Sequence, residues 1–281
     1  MSLVPPSRIR ALRGRYSLRG ARAVVAGVAC AALEAVPVAT PVAAQPPAPA
    51  PAWPFGIGEA LRYEVRVAPF GSVGRARLWI EGPVDEQGVA TWRLRSEIEA
   101  GVGPVHGVDR TSSWFDPATA GILRFEKSED HPLSRSEARV TVDRAARHWR
   151  DGVDGHEGPV SADAPLDELA FLYVLRALPL AHDTTFLLSR HYDEARNPTR
   201  ITVRGTELVS TPAGIFRTRV VEMEVKDPKR YHGVGRIRIN VDDDVCRLPV
   251  RIESRMPRLG VTTLVLTGWA HPPRYPSAVA C

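Results

Sequence analysis

A chain of 281 residues with 44% hydrophobic and 25% charged residues has the composition of a folded globular protein, which excludes a disordered or collagen-like chain. Its formal charge of +5 arises at one end: six of the 37 basic and one of the 32 acidic residues lie in residues 1–44, so 31 of each remain beyond them. A nucleic-acid binder needs a basic surplus to displace counterions from phosphate, and the body of this chain has none.

Residues 1–44 read as a signal peptide. A basic stretch to Arg22 precedes an apolar run from Ala23 to Leu33, and small residues close the segment at Val42-Ala43-Ala44. The run is 11 residues long, short of the roughly 20 that cross a bilayer. Cleavage after Ala44 is expected, with export to the periplasm or cell envelope and no transmembrane segment in the mature chain. Residues 45–54 (QPPAPAPAWP) form a proline-rich linker, because proline favours extended polyproline II and donates no backbone hydrogen bond. One β-rich domain is expected over 55–271, followed by a tail at 272–281.

Within that domain Leu61, Tyr63, Val65 and Val67 alternate with Arg62, Glu64 and Arg66, the period of a half-buried strand. Gly71-Ser72-Val73-Gly74 reads as the following turn and RARLWIEG as the return strand. Further strands are predicted over 91–100, 105–115, 122–127, 135–142, 184–191, 201–210, 215–225, 234–241, 246–254 and 261–269. Turn residues separate several of them: Asp116-Pro117, Asn197-Pro198, Thr211 to Gly214 and Asp242 to Asp244. Even spacing of short strands points to a curling antiparallel sheet, a barrel or a sandwich. Residues 151–163 read as a loop. Residues 162–180 break the period: Leu166, Leu169, Ala170, Leu172, Tyr173 and Leu178 recur at helical spacing. Asp163 is the expected cap, Pro165 suits the first turn and Pro179 stops the helix. The helix is expected against the concave side of the sheet.

The chemistry-bearing residues give weak signals. His182-Asp183 and His191-x-Asp193 pair imidazole with carboxylate, but no zinc-type spacing accompanies them. Asp242 to Asp244 and the set Asp151, Asp154 and Glu157 offer oxygen ligands for calcium, yet each sits where turn residues are expected. No G-x-S-x-G or phosphate-binding glycine motif occurs. Glu59 opens the first strand and reads as an acid or base, or as a partner for the sheet end. No catalytic residue, metal site or cofactor is assigned. Two cysteines remain after cleavage, Cys246 and Cys281. An exported protein can join them, but the preferred reading is a buried thiol and a loose terminal one. The candidate ligand-binding residues are Tyr63, Trp79, Trp92 and Trp114, all on apolar-phase strand positions, together with Leu172. They could line a pocket for a lipid or other apolar ligand, or simply form the core.

Several segments taken together resemble a family. GEALRYEVRVAPFGSVGRARLWI, PLDELAFLYVLRALPL, GTELVSTPAGIFRTRVVEMEV and DDDVCRLPVRIESRMPRLGVTTLVL are similar, in that order, to the opening strands, central helix, hairpin and closing pair of exported proteins called domain of unknown function 3108. Cys246 departs from the pattern, standing where a small or polar residue is expected. The resemblance implies a bacterial envelope protein with no agreed activity. It also implies a curved antiparallel sheet or open half-barrel wrapping one central helix, similar to lipoprotein-localisation carriers in fold. The resulting expectation is a non-enzymatic envelope protein that binds an apolar or amphipathic ligand, or a protein partner, through the curved sheet. The alternatives are a periplasmic hydrolase acting on an envelope polymer and a structural scaffold. Oligomeric state is left open.

Overall fold

The computed structural model describes residues 53–132, 134–227, 233–256 and 260–271. The expected signal peptide, most of the linker and the tail lie outside these residues. Fourteen strands form one antiparallel sheet. The first six are β1 (Ala60–Val67), β2 (Gly71–Glu86), β3 (Val89–Val102), β4 (Val105–Asp116), β5 (Gly121–His131) and β6 (Ser134–Asp143). The short β7 (His148–Asp151) and β8 (Glu157–Pro159) end one arm. After the helix α1 (Glu168–Leu175) come β9 (Thr185–Leu188), β10 (Thr199–Thr211), β11 (Gly214–Asp227), β12 (Gly233–Asp242), β13 (Pro249–Met256) and β14 (Gly260–Ala270).

The strand order is β8-β7-β6-β5-β4-β3-β2-β1-β14-β13-β12-β11-β10-β9. The chain therefore starts in the middle of the sheet and walks outward by hairpins to β8. It crosses to the opposite edge at β9 and returns by hairpins until β14 pairs with β1. The crossing carries α1, so the helix lies between the two arms. Register shifts at Arg62/Tyr63, Glu81/Val84, Trp114/Phe115 and Val203/Gly205 insert bulges, which raise local twist and help the sheet curl. Both edges are very short strands, which limits exposed pairing groups.

The helix is shorter than its sequence predicts. Asp167, not Asp163, is the cap: its Oδ1 accepts from the N–H groups of Leu169 and Ala170 at 2.8 and 2.9 Å. Upstream, the Leu166 backbone pairs with Arg190 and Tyr192 in a bridge, which holds that residue extended, and Asp163 instead meets Arg147. Downstream the helix ends at Arg176, and Arg176, Ala177 and Leu178 donate three residues back, the tighter pattern of a closing turn. Leu169, Ala170, Phe171, Tyr173, Val174 and Leu175 are all buried, so the helix is apolar on nearly every side. That is the signature of an element enclosed by its neighbours rather than lying on a surface.

Two other expectations change. The β1–β2 turn falls at residues 68–70, and Gly71 to Gly74 already belong to β2. Gly74 is needed for close approach: a Cβ there would come within 1.9 Å of the Glu99 carbonyl oxygen. The predicted loop 151–163 contains the end of β7 and all of β8. Cys246 is buried and disulfide-bonded rather than a free thiol, with its partner outside the described residues.

The core has two parts. The larger joins β1 to β6, α1 and β13–β14, with Phe55 meeting Tyr173 at 5.1 Å and Trp53 meeting Phe115 at 5.3 Å between ring centroids. The smaller joins Leu175 and Leu180 to β10–β12. Leu172 packs against both.

Candidate ligand-binding site

The five residues singled out in the sequence do not converge. Tyr63 is buried, and its hydroxyl donates to the Pro249 carbonyl at 2.9 Å. Trp92 is half-buried against the same core, 6.1 Å from Phe55. Trp79 alternates with the buried Leu78 and Ile80, so it points to the outer face. Its ring lies between the guanidinium groups of Arg77 and Arg95, at 4.7 and 4.8 Å. Trp114 is covered likewise by Arg93 and Arg124, each at 4.7 Å, while the adjacent bulge turns Phe115 into the core. Only Leu172 faces a cavity.

That cavity, of about 190 Å³, lies beside α1 between the two arms, toward the end where β9 hands over to β10. One wall is the cross-strand row Ser96, Thr111 and Lys127 on β3, β4 and β5. The opposite wall is Met223 and Val225 on β11 with Ile237 across from Met223 on β12. The helix supplies Leu169, Phe171 and Leu172. Polar groups ring the apolar centre. Arg196, from the 3-10 turn Glu194–Arg196, meets the Glu168 carboxylate and lies 3.5 Å from Asp227 and 3.8 Å from Asp193. Lys127 is 2.7 Å from Glu129, and Lys226 donates to the Asn197 carbonyl.

Glu168 is open at the cavity mouth, with 41% of its side chain exposed. Desolvation by the surrounding fold pulls its pKa up, but the cations, Arg196 first, outweigh this and hold it at about 2. It is a very weak base. His191 also lines the cavity and is 4% exposed. Burial lowers its pKa, so the neutral imidazole is the resting form. Its Nδ1 accepts from the Asp193 N–H at 3.0 Å. The imidazole proton therefore sits on Nε2, which has no partner in the protein. Such a histidine carries an unmet N–H donor at the cavity wall but has no free lone pair to take a proton.

The other candidate clusters are tied into the structure. Glu59 forms a two-pronged pair with Arg176, at 2.6 and 2.8 Å, and both are buried. Arg176 also donates to the carbonyls of Pro54, Cys246 and Arg247, so it locks the helix end to the entering chain and the β12–β13 turn. Breaking such a pair by removing one partner costs about 3–5 kcal/mol, since the other charge is left buried. Asp243 pairs with Arg219 at 2.8 Å, and Asp151 accepts from the backbone of Arg139 and Val153. His182 meets Asp183 on the surface at 2.8 Å. Among the described residues no group of three or more histidine, cysteine or acidic side chains is placed to hold a metal. Nor is any helix there long and apolar enough to cross a membrane.

Sequence reasoning missed Glu168, His191 and Arg196 as a set because they come from separate segments. A usable signal existed in Ser96, Thr111 and Lys127. These are polar residues at positions whose strand phase points inward, and a closed apolar core would not place them there.

The fold and its matched residues decide the family. Residues 62–267 match the proteins of unknown function DUF3108. The chain belongs to this family. The DUF3108 fold of this chain is similar to a β-barrel-like protein of the DUF1849 domain from Brucella abortus. That match has a TM-score of 0.51 and 11% identity, and covers 77% of this chain and 98% of the other. A protein described as exported, with a YmcC-like fold, from Bacteroides fragilis matches at TM-score 0.30 and 14% identity, over 78% and 98% of the two chains. One described as a lipoprotein, from Parabacteroides distasonis, matches at TM-score 0.29 and 11% identity, over 78% and 99%. No curated protein matches this chain.

Proposed function

We propose that this DUF3108 protein is exported to the periplasm or cell envelope and binds an apolar or amphipathic ligand in the cavity beside α1. The observation that carries the reading is the cavity's make-up: an apolar centre of side chains from the helix and both arms, ringed by polar groups whose cations already have oxygen partners. Ligand sites commonly combine apolar walls with a few placed polar groups. The volume is below the usual range of about 300–1,000 Å³, so one segment of a chain fits and the rest extends through the mouth. Hydrolysis is less well supported, because Glu168 is too weak a base and the His191 lone pair is engaged. A scaffold would need no such cavity.

The test is native mass spectrometry and organic extraction of protein purified from its own envelope without detergent. The expected result is a bound lipid-like mass, reduced in Leu172→Trp, which fills the cavity. A bare chain that also takes up no hydrocarbon probe contradicts the proposal.

A further inference from the structure

Each cation in the cavity wall already has an oxygen partner: Lys127 has Glu129, Arg196 has Glu168, Asp193 and Asp227, and Lys226 has the Asn197 carbonyl. Among the described residues that line the cavity, His191 Nε2 is the one buried side-chain polar atom without a hydrogen-bond partner. An unmet donor inside a fold costs free energy, and the cost is recovered when an acceptor arrives. The imidazole is fixed for that task. Its ring stacks on Phe171 at 6.4 Å and packs on Tyr192 at 4.5 Å, and the Asp193 N–H holds its other nitrogen.

We infer that His191 is the specificity-determining residue of the cavity and that its Nε2–H receives an uncharged carbonyl oxygen, such as that of an ester or amide, borne by an apolar chain. This rests on the ligand-binding reading above. Glu168 and Asp227 share the wall with Lys127, Arg196 and Lys226, and each of these cations is already paired with an oxygen, so among the described residues of the wall no free cation is left to take a ligand carboxylate. A neutral acceptor meets the donor without bringing a charge that would need a new partner. The apolar side chains Leu169, Phe171, Leu172 and Met223 then cover the adjoining chain.

The experiment titrates full mature protein with three fluorescent probes: diphenylhexatriene, which has no polar atom, cis-parinaric acid methyl ester, and the free acid. Wild type is expected to bind the hydrocarbon and to prefer the ester to the acid at neutral pH. His191→Phe should lower the ratio of ester to hydrocarbon affinity about tenfold, the scale of one lost hydrogen bond in a dry site. His191→Gln, which keeps an N–H donor near the same place, should retain most ester binding. If His191→Phe binds hydrocarbon and keeps the wild-type ratio of ester to hydrocarbon affinity, the role of His191 is overturned while the cavity reading stands. If wild type binds the acid more tightly than the ester, the selection of an uncharged carbonyl is overturned. Loss of both hydrocarbon and ester in His191→Phe makes the residue merely structural and also overturns the inference. A wild type that binds no probe overturns this inference and the proposed function together.

Discussion

Asp167 carries the clearest pH signature at the level of single residues. Burial, reinforced by Glu168, lifts its pKa from 3.8 to about 7, against the opposing hydrogen bonds from Ala170, Ser113 and Leu169. Its Oδ2 is buried without a partner, which fits a carboxyl that keeps a proton in the fold. Between pH 3.8 and about 7 the folded chain then binds more protons at this site than the unfolded chain does. The contribution is fully present below pH 3.8 and is lost as pH rises through about 7, by on the order of 4 kcal/mol at most. Asp167→Asn should abolish this dependence while keeping a capping oxygen. Urea unfolding of both proteins from pH 4.5 to 8 checks it: the advantage of wild type over the variant should shrink with rising pH, and parallel curves would refute the account. Single-residue roles were the least legible part of the sequence. Trp79 and Trp114 look like core residues by type, but arginine side chains cover them on the outer face, and the bulge at Trp114/Phe115 resets the phase that periodicity relies on. Glu59 gives no local hint of Arg176, which lies 117 positions away.

Elements were more legible, where they were long. The alternation along β1, β3, β10 and β11 identifies them within a few residues, because period-two burial is set locally by the pleat. β7 and β8 escape notice, being four and three residues in a glycine-rich stretch. For α1 the apolar spacing marks the element but not its ends. Pro165 and Asp163 look like start signals, yet the extended pairing of Leu166 defers the start to Asp167. The helix also yields a graded test. Leu169 and Leu175 are buried, so truncation to alanine should destabilise by about 2–5 kcal/mol. Leu172 is only half-buried, so Leu172→Ala should cost less, about 1 kcal/mol. Denaturant midpoints of the three variants report the ranking, and equal losses would mean that the cavity beside Leu172 is closed in solution.

The curled sheet around a helix could be expected for the whole molecule from evenly spaced strands, one apolar helix and the family resemblance. The pairing of β1 with β14, and the placing of β8 and β9 at opposite edges, could not, since hydrophobic period gives faces and not partners. This ordering is what puts α1 between the arms and opens a cavity on one side of it. Residues far apart in sequence, from Ser96 to Ile237, meet there only once the chain has closed on itself. The central claim is that this cavity takes an apolar guest. Its most direct test is a titration of diphenylhexatriene against wild type and Leu172→Trp, with melting curves to confirm that both are folded. The account predicts saturable binding by wild type and its loss in the folded variant; no binding by wild type, or equal binding by both, would contradict it.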